Sequence, residues 1–66
     1  METVGDHIRA ARERAVLNQG ELAHAAGISR SSLSMIENGH KQPRMTTIRK
    51  IAQALGLPPS ELANPK

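Results

Sequence analysis

The residues best suited to contact a binding partner lie between positions 30 and 36. Leu33 and Ile36 are three residues apart, so they share the inner face of a helix. The side chains left facing outward are Arg30, Ser31, Ser34 and Met35. An outward arginine can donate two hydrogen bonds to O6 and N7 of guanine, or it can bind a phosphate. A serine can donate or accept at many base edges, so these residue types fit a helix that contacts nucleic acid.

A second helix precedes this one and positions it. Asn18 and Glu21 have the spacing of a capping box that begins a helix. Gly27 ends that helix, because a residue without Cβ adopts the left-handed conformation at little cost. Ser29 starts the next helix and Asn38-Gly39 closes it, which predicts a recognition helix at about Ser29–Asn38. Two short helices that meet at a glycine with this spacing suit insertion into a DNA groove.

The segment resembles the helix-turn-helix of the XRE-type regulators, the family of lambdoid phage repressors and Cro. The resemblance runs from Ile8 to Leu62. Its matching positions are Gln19, Glu21-Leu22-Ala23, Gly27, Ile36-Glu37-Asn38-Gly39, Pro43 and Ala52-x-Ala54-Leu55-Gly56. It implies one all-α domain over residues 1–66, a compact bundle of five helices with the helix-turn-helix at about 18–38. It also implies a sequence-specific, double-stranded DNA-binding transcriptional regulator of the repressor type, whose third helix contacts base edges in the major groove.

The resemblance assigns roles to individual side chains. Arg30, Ser31 and Met35 match family positions that contact bases, and a thymine methyl group is the natural partner of Met35. Ser34 is the weaker candidate, because serine on a helix surface is most often only solvated. Phosphate contacts are expected from the free amides at the start of the second helix and from Gln19, Asn38, Lys41 and Arg44. Asn18 either joins this set or only caps the helix.

Positive charge follows the recognition helix. The net charge is +3, and residues 1–28 hold four acidic residues against three arginines. Residues 38–60 contain Lys41, Arg44, Arg49 and Lys50 and no acidic residue. Such a patch attracts phosphates over roughly 8 to 10 Å at physiological salt. A solvated loop and helix face is the alternative interpretation, but the neighbouring helix-turn-helix favours phosphate binding.

The remaining segments predict three supporting helices. Thr3 and Asp6 can cap a first helix that ends at about Arg14 or Ala15. Its inward positions are Ile8, Ala11 and Ala15. A fourth helix is expected over Thr46–Leu55, closed by Gly56, and Pro59 suits the first turn of a short last helix.

Two positions depart from the family pattern. Val16 replaces the glycine that usually ends the first helix, and a β-branched residue would be strained in a left-handed cap. The first helix is therefore expected to end by another route. Arg44 stands where relatives place a serine-type cap, so the fourth helix is expected to start later, at Thr46, which leaves Arg44 free for phosphate.

The core must be small and aliphatic, because the chain has no aromatic residue and buries only about 60% of its unfolded surface. The expected core side chains are Ile8, Leu17, Leu22, Leu33, Ile36, Met45, Ile48, Ile51, Leu55 and Leu57. Alanine spacers favour close helix contacts, so we expect no large cavity and no small-molecule ligand. The absence of cysteine fits a reducing cytoplasm, and the sequence has neither an apolar run of membrane length nor a secretory signal.

Catalytic and metal chemistry are not expected. No Ser/His/Asp arrangement, phosphate loop or pair of carboxylates in a pocket can be assembled. His7, His24 and His40 are separated by 17 and 16 residues and lack metal-ligand spacing, and no thiolate completes a site. The predicted protein is a cytoplasmic, bacterial or phage-encoded regulator that needs no cofactor and contacts no membrane.

Two further expectations come from the resemblance. Arg12 of the first helix is expected to form a structural ion pair with Glu37, and a phosphate contact from Arg12 is an additional option. An apolar corner at Leu57, Pro58, Pro59 and Leu62 matches the region through which family dimers join. We therefore expect a symmetric homodimer, weak off DNA, on an imperfect palindrome. In the alternative interpretation, Leu57 and Leu62 only close the monomer core.

One other binding class remains open at this point. The same bundle could be the antitoxin or adaptor part of an assembly and dock a protein through its last helix. A DNA-packaging protein would call for more charge than +3. The sequence is compatible with a complete small regulator and with the N-terminal half of a longer one.

Overall fold

The computed structural model describes residues 3–63, and within this range it contains five α-helices and no strand. The helices are α1 (Val4–Arg14), α2 (Gln19–Ala26), α3 (Arg30–Glu37), α4 (Met45–Leu55) and α5 (Ser60–Ala63). They enclose one apolar core. None of these helices combines the length and the apolar character needed to cross a membrane.

The first three helices begin where the sequence places a capping residue. Thr3 and Asp6 bond to each other's backbone amides at 3.2 and 3.1 Å, and Asn18 and Glu21 do the same at 2.7 and 2.9 Å. The Ser29 hydroxyl accepts from the Ser32 amide at 3.0 Å. These bonds satisfy amides that have no partner inside the helix, so local chemistry fixes where each helix begins.

Helix α1 ends in a left-handed turn, a conformation that the β-branched Val16 was expected to prevent. Val16 has φ of 59°, close to the 72° of Gly27 at the end of α2. Its amide donates to the Glu13 carbonyl at 3.0 Å, and the next amide, of Leu17, donates to the Arg12 carbonyl at 3.1 Å. The expectation of another route was therefore wrong. Two backbone bonds offset the strain, and the side chain is 87% exposed, so it meets no neighbour that would prevent the conformation.

Helix α4 starts at Met45, one residue before the expected Thr46. Arg44 is its capping residue, with an extended backbone and a carbonyl that accepts from the Ile48 amide at 2.9 Å. The arginine side chain makes no cap bond. A backbone carbonyl is enough to begin the hydrogen-bond ladder, so the absence of a serine-type side chain did not delay the helix.

The core contains most of the expected side chains. Those that are buried are Ile8, Leu22, Leu33, Ile36, Ile48 and Ile51, while Leu17, Leu55 and Leu57 are half-buried against them. Met45 was wrongly placed in the core: it is 51% exposed, because it occupies the first position of α4 and Ile48 and Ile51 fill the inner face. Ala15 is also exposed, since α1 ends there. Leu62 of α5 is buried instead.

Helices α1 and α3 approach each other closely at Gly5. A Cβ on this residue would overlap the Ile36 carbonyl oxygen and come within 3.1 Å of the Glu37 carbonyl oxygen. The first turn of α1 therefore lies directly against the backbone of the last turn of α3. Only glycine fits this position, which sets the distance between the two helices.

Candidate nucleic-acid interface

The outward face of α3 carries the side chains that the sequence assigned to base contacts. Leu33 and Ile36 are buried on its inner face, as the three-residue step requires. Arg30, Ser31 and Met35 are exposed and Ser34 is partly exposed. A shallow surface depression is lined by Gln19, Arg30, Ser31, Ser34 and Met35. The start of α2 and the outer face of α3 thus form one continuous surface.

A buried carboxylate fixes this surface to the rest of the bundle. Glu37 is 1% exposed, and Arg12 donates to it through Nε at 2.8 Å and Nη2 at 3.1 Å. Arg12 Nη1 also donates to the Leu17 carbonyl at 2.9 Å. The hydrogen bond to Glu37 raises the pKa of the Arg12 guanidinium, so Arg12 stays protonated. The expected pair is present and connects α1 to α3.

Gln19 of α2 also binds the Glu37 carboxylate. Its Nε2 donates to Glu37 Oε1 at 3.0 Å, so the buried glutamate of α3 contacts a side chain of α1 and a side chain of α2. An amide nitrogen carries two hydrogens, and the second remains available for a phosphate. Gln19 is thereby held at the edge of the depression.

Arg9 is a member of this site that the sequence analysis missed. Its Nη2 donates to the Glu37 carbonyl at 3.0 Å and to Asn38 Oδ1 at 2.9 Å, and its Nε lies 3.6 Å from Glu37 Oε1. Asn38 Nδ2 donates in turn to Ser34 Oγ at 3.4 Å. The sequence did contain a signal for this role of Arg9. Arg9 and Arg12 are three residues apart on one helix, so their side chains share a face.

The cationic residues expected to contact phosphate lie beside the helix-turn-helix. Lys41 and Arg44 are exposed and line a groove with Ile28 and Ser32. Lys41 Nζ donates to Ser32 Oγ at 3.4 Å. The loop that follows α3 therefore folds back along the turn between α2 and α3. Asn18, by contrast, caps α2 with its side-chain oxygen.

The apolar corner near the C-terminus differs from its expected composition. Leu62 is 1% exposed, so its side chain belongs to the core and has no surface left for a partner. Leu57 and Pro59 are half-buried, and Pro58 is exposed. The proposed contact surface is therefore reduced to Leu57, Pro58 and Pro59, because α5 packs its single leucine inward against α1 and α4.

The arrangement of α2, α3 and their connecting glycine matches a known family. A helix-turn-helix family model covers residues 8–62, most of the chain. The chain belongs to the helix-turn-helix family. The resemblance to XRE-type regulators, drawn from the residues at fixed offsets, is confirmed.

The family contains named repressors. The HTH-type transcriptional repressor RghR of Bacillus subtilis (strain 168) is 42% identical over 59 residues, which cover 88% of this chain and 44% of that protein. The immunity repressor protein of Bacillus phage phi105 is 42% identical over 55 residues, 83% of this chain and 38% of that protein. The chain thus spans less than half the length of these two relatives.

A solved structure matches the domain over most of both chains. The restriction-modification controller protein C.AhdI from Aeromonas hydrophila superposes with a TM-score of 0.87 and 34% identity, covering 89% of each chain. This agreement confirms the all-α, five-helix fold class. The names of these relatives describe two repressors and a controller protein.

Proposed function

We propose that this chain is the sequence-specific DNA-binding domain of a cytoplasmic transcriptional regulator of the repressor type. The observation that carries the proposal is the exposed outer face of α3, whose inner face and C-terminal end are fixed by Leu33, Ile36 and the buried Glu37. A surface held this firmly suits contacts that must meet base edges in fixed positions. The names of the repressor relatives support the same function.

In this proposal α3 lies in the major groove. Arg30, Ser31, Ser34 and Met35 contact bases, with Arg30 on guanine and Met35 on a thymine methyl group. Phosphates contact the free amides at the start of α2 together with Gln19, Asn38, Lys41 and Arg44. These contacts fix the register of the protein on the duplex, whereas the outer face of α3 selects the sequence.

The domain acts as a homodimer on DNA, since one short helix contacts few base pairs. A two-fold pair places its recognition helices about 10 base pairs, or about 34 Å, apart on an imperfect palindrome. The partly exposed surface at Leu57, Pro58 and Pro59 is the proposed contact between the two copies. It is small, so the dimer forms mainly on the operator.

The test is a comparison of specific and random DNA. Duplexes selected from a random pool should bind about 10³-fold or more tightly than an unselected duplex of equal length. The affinity for both should fall with salt. Analytical ultracentrifugation of the selected duplex should give two proteins per duplex. Equal affinity for all duplexes would contradict sequence-specific binding and would favour a packaging or protein-docking role.

A further inference from the structure

We propose that Arg9 and Asn38 fix the Ser34 hydroxyl as a hydrogen-bond donor towards DNA, so that Ser34 selects a keto base, guanine or thymine, over an amino base. The inference rests on the proposed function, in which the outer face of α3 lies in the major groove. It adds a selecting role for Ser34 and makes Arg9, which lies on a different helix, a positioning residue for that selection.

The direction of each hydrogen bond follows from the chemistry of the groups. A guanidinium has only donors, so the atom of Asn38 that faces Arg9 Nη2 at 2.9 Å must be the amide oxygen. The amide nitrogen of Asn38 then faces Ser34 Oγ, at 3.4 Å. That nitrogen can only donate. Ser34 Oγ is therefore the acceptor, and its own hydrogen must point away from Asn38.

The Ser34 hydroxyl lies on the surface that we assign to DNA. Ser34 lines the depression shared with Gln19, Arg30 and Met35. Among residues 3–63 the structure gives the hydroxyl hydrogen no acceptor, so water takes it in the free protein. When DNA displaces this water, the hydroxyl needs an acceptor from the base, because a buried donor without a partner costs free energy.

The polar groups that each base presents turn this need for an acceptor into a preference for some bases over others. In the major groove guanine and thymine present only acceptors as polar groups, whereas cytosine presents an amino donor and adenine presents an amino donor beside N7. Ser34 Oγ keeps a second lone pair, but a contact with an amino group through it would leave the hydroxyl hydrogen without an acceptor, so the hydroxyl favours the two keto bases. One such hydrogen bond corresponds to a preference of about twofold to tenfold.

The decisive variant is Asn38→Asp. A carboxylate accepts from both neighbours, so Arg9 keeps its partner while Ser34 now donates to residue 38 and turns its lone pairs towards DNA. The preference at the affected base pair should reverse, from keto to amino on the same strand. The added negative charge weakens binding to every duplex equally, so the ratio between bases still reports the orientation of Ser34.

The experiment selects bound sequences from a randomised duplex pool with the wild type, Ser34→Ala, Asn38→Asp and Arg9→Gln. Duplexes carrying each base at the affected position are then titrated individually. The affected position is the one at which Ser34→Ala reduces the preference to less than about twofold. Arg9→Gln should reduce the same preference by releasing the Asn38 amide. Arg14→Gln, the same change at an exposed arginine of α1, should leave it intact.

The outcomes separate this inference from the proposed function. If the wild type enriches no sequence, sequence-specific binding itself fails. If it enriches a sequence that Ser34→Ala leaves unchanged at every position, Ser34 selects no base and the inference is overturned. If Asn38→Asp and Arg9→Gln both keep the wild-type preference, Arg9 and Asn38 do not set the orientation of the hydroxyl. Circular dichroism of each variant confirms that the bundle has folded.

Discussion

Glu37 is the residue on which the geometry of the interface depends most. It lies buried at the end of α3 and accepts hydrogen bonds from Arg12 of α1 and Gln19 of α2. A carboxylate in this position costs desolvation, which the two charge-assisted bonds from Arg12 offset. Three helices meet at one side chain, so a change there affects both stability and the position of the recognition helix.

Replacing Glu37 with glutamine should therefore destabilise the domain severely. The shape is kept, but the partly buried Arg12 loses its counter-charge, and loss of one partner from a buried pair costs about 3 kcal/mol. Urea denaturation followed by far-UV circular dichroism measures the change. Glu13→Gln, on the exposed side of α1, is the matched control and should stay within about 0.5 kcal/mol of the wild type. Equal effects of the two variants would show that the ion pair contributes no stability.

Arg30 and Met35 should affect binding without affecting the fold. Both side chains are exposed, so Arg30→Ala and Met35→Ala should keep the melting temperature of the wild type. Each should weaken binding to a selected operator by about 5-fold to 150-fold, the range expected for a lost base contact. Gln53→Ala, exposed on α4, should change neither quantity. A variant that melts early, or that binds the operator unchanged, would show that its residue was wrongly assigned.

At this scale the sequence predicted which side chains of α3 face outward better than it predicted the hydrogen bonds that connect them to other helices. The period of Leu33 and Ile36 was enough to identify the outward side chains. Arg9 was missed because its partners, Glu37 and Asn38, are distant in the sequence, and no local pattern indicates a contact across the bundle. Met45 was misplaced because hydrophobicity alone does not show which side of a first helical turn faces the core.

At the scale of the helices, the residues at which α1, α2 and α3 begin follow from capping chemistry. Thr3, Asn18 and Ser29 mark their helices correctly because the bonds involved are local. The end of α1 did not follow from local preference. There the amides of Val16 and Leu17 find carbonyl partners only in the left-handed turn, and the packing of Leu17 against the core holds the chain in that turn. Tertiary contacts therefore override the preference of a single β-branched residue.

This conflict predicts a stabilising substitution. Val16→Gly removes the steric cost of a left-handed conformation, about 1 to 2 kcal/mol, although glycine is more disordered when unfolded. The net gain should be about 1 kcal/mol, which raises the melting temperature by about 4 to 8 °C in a domain of this size. Val16→Ala removes similar exposed apolar surface but retains a Cβ, so it should gain less. A glycine variant no more stable than the alanine variant would mean that Val16 is not strained.

At the scale of the whole molecule, charge is arranged so that the loop after α3 is positive. Lys41 and Arg44 lie in one groove beside the recognition helix and have no acidic neighbour in residues 38–60. A phosphate contact made by each would release one condensed counterion from the duplex. Their contribution should thus be independent of sequence and dependent on salt.

Lys41→Ala and Arg44→Ala should weaken specific and random duplexes by the same factor. Each lost phosphate contact reduces the steepness of the log-log plot of affinity against salt concentration by about 0.9. A substitution in a dimer removes two such contacts, so the steepness should fall by about 1.8. Fluorescence anisotropy of labelled DNA over a salt series measures this slope. The charge-preserving variants Lys41→Arg and Arg44→Lys should retain it. A slope that is unchanged in the alanine variants would place these side chains away from the phosphates.

The contact at Gly5 has a mechanical consequence for the complex. The first turn of α1 rests on the backbone of α3, and Arg12 and Gln19 hold the same end of that helix through Glu37. These contacts oppose a displacement of α3 relative to the bundle, so in the proposed complex the domain should adapt little to a duplex of unsuitable curvature. The DNA must supply the deformation, and its stiffness depends on sequence. In the proposed dimer on DNA, base pairs that the protein does not contact, especially those between the two half-sites, should therefore influence affinity through the energy needed to bend or twist them.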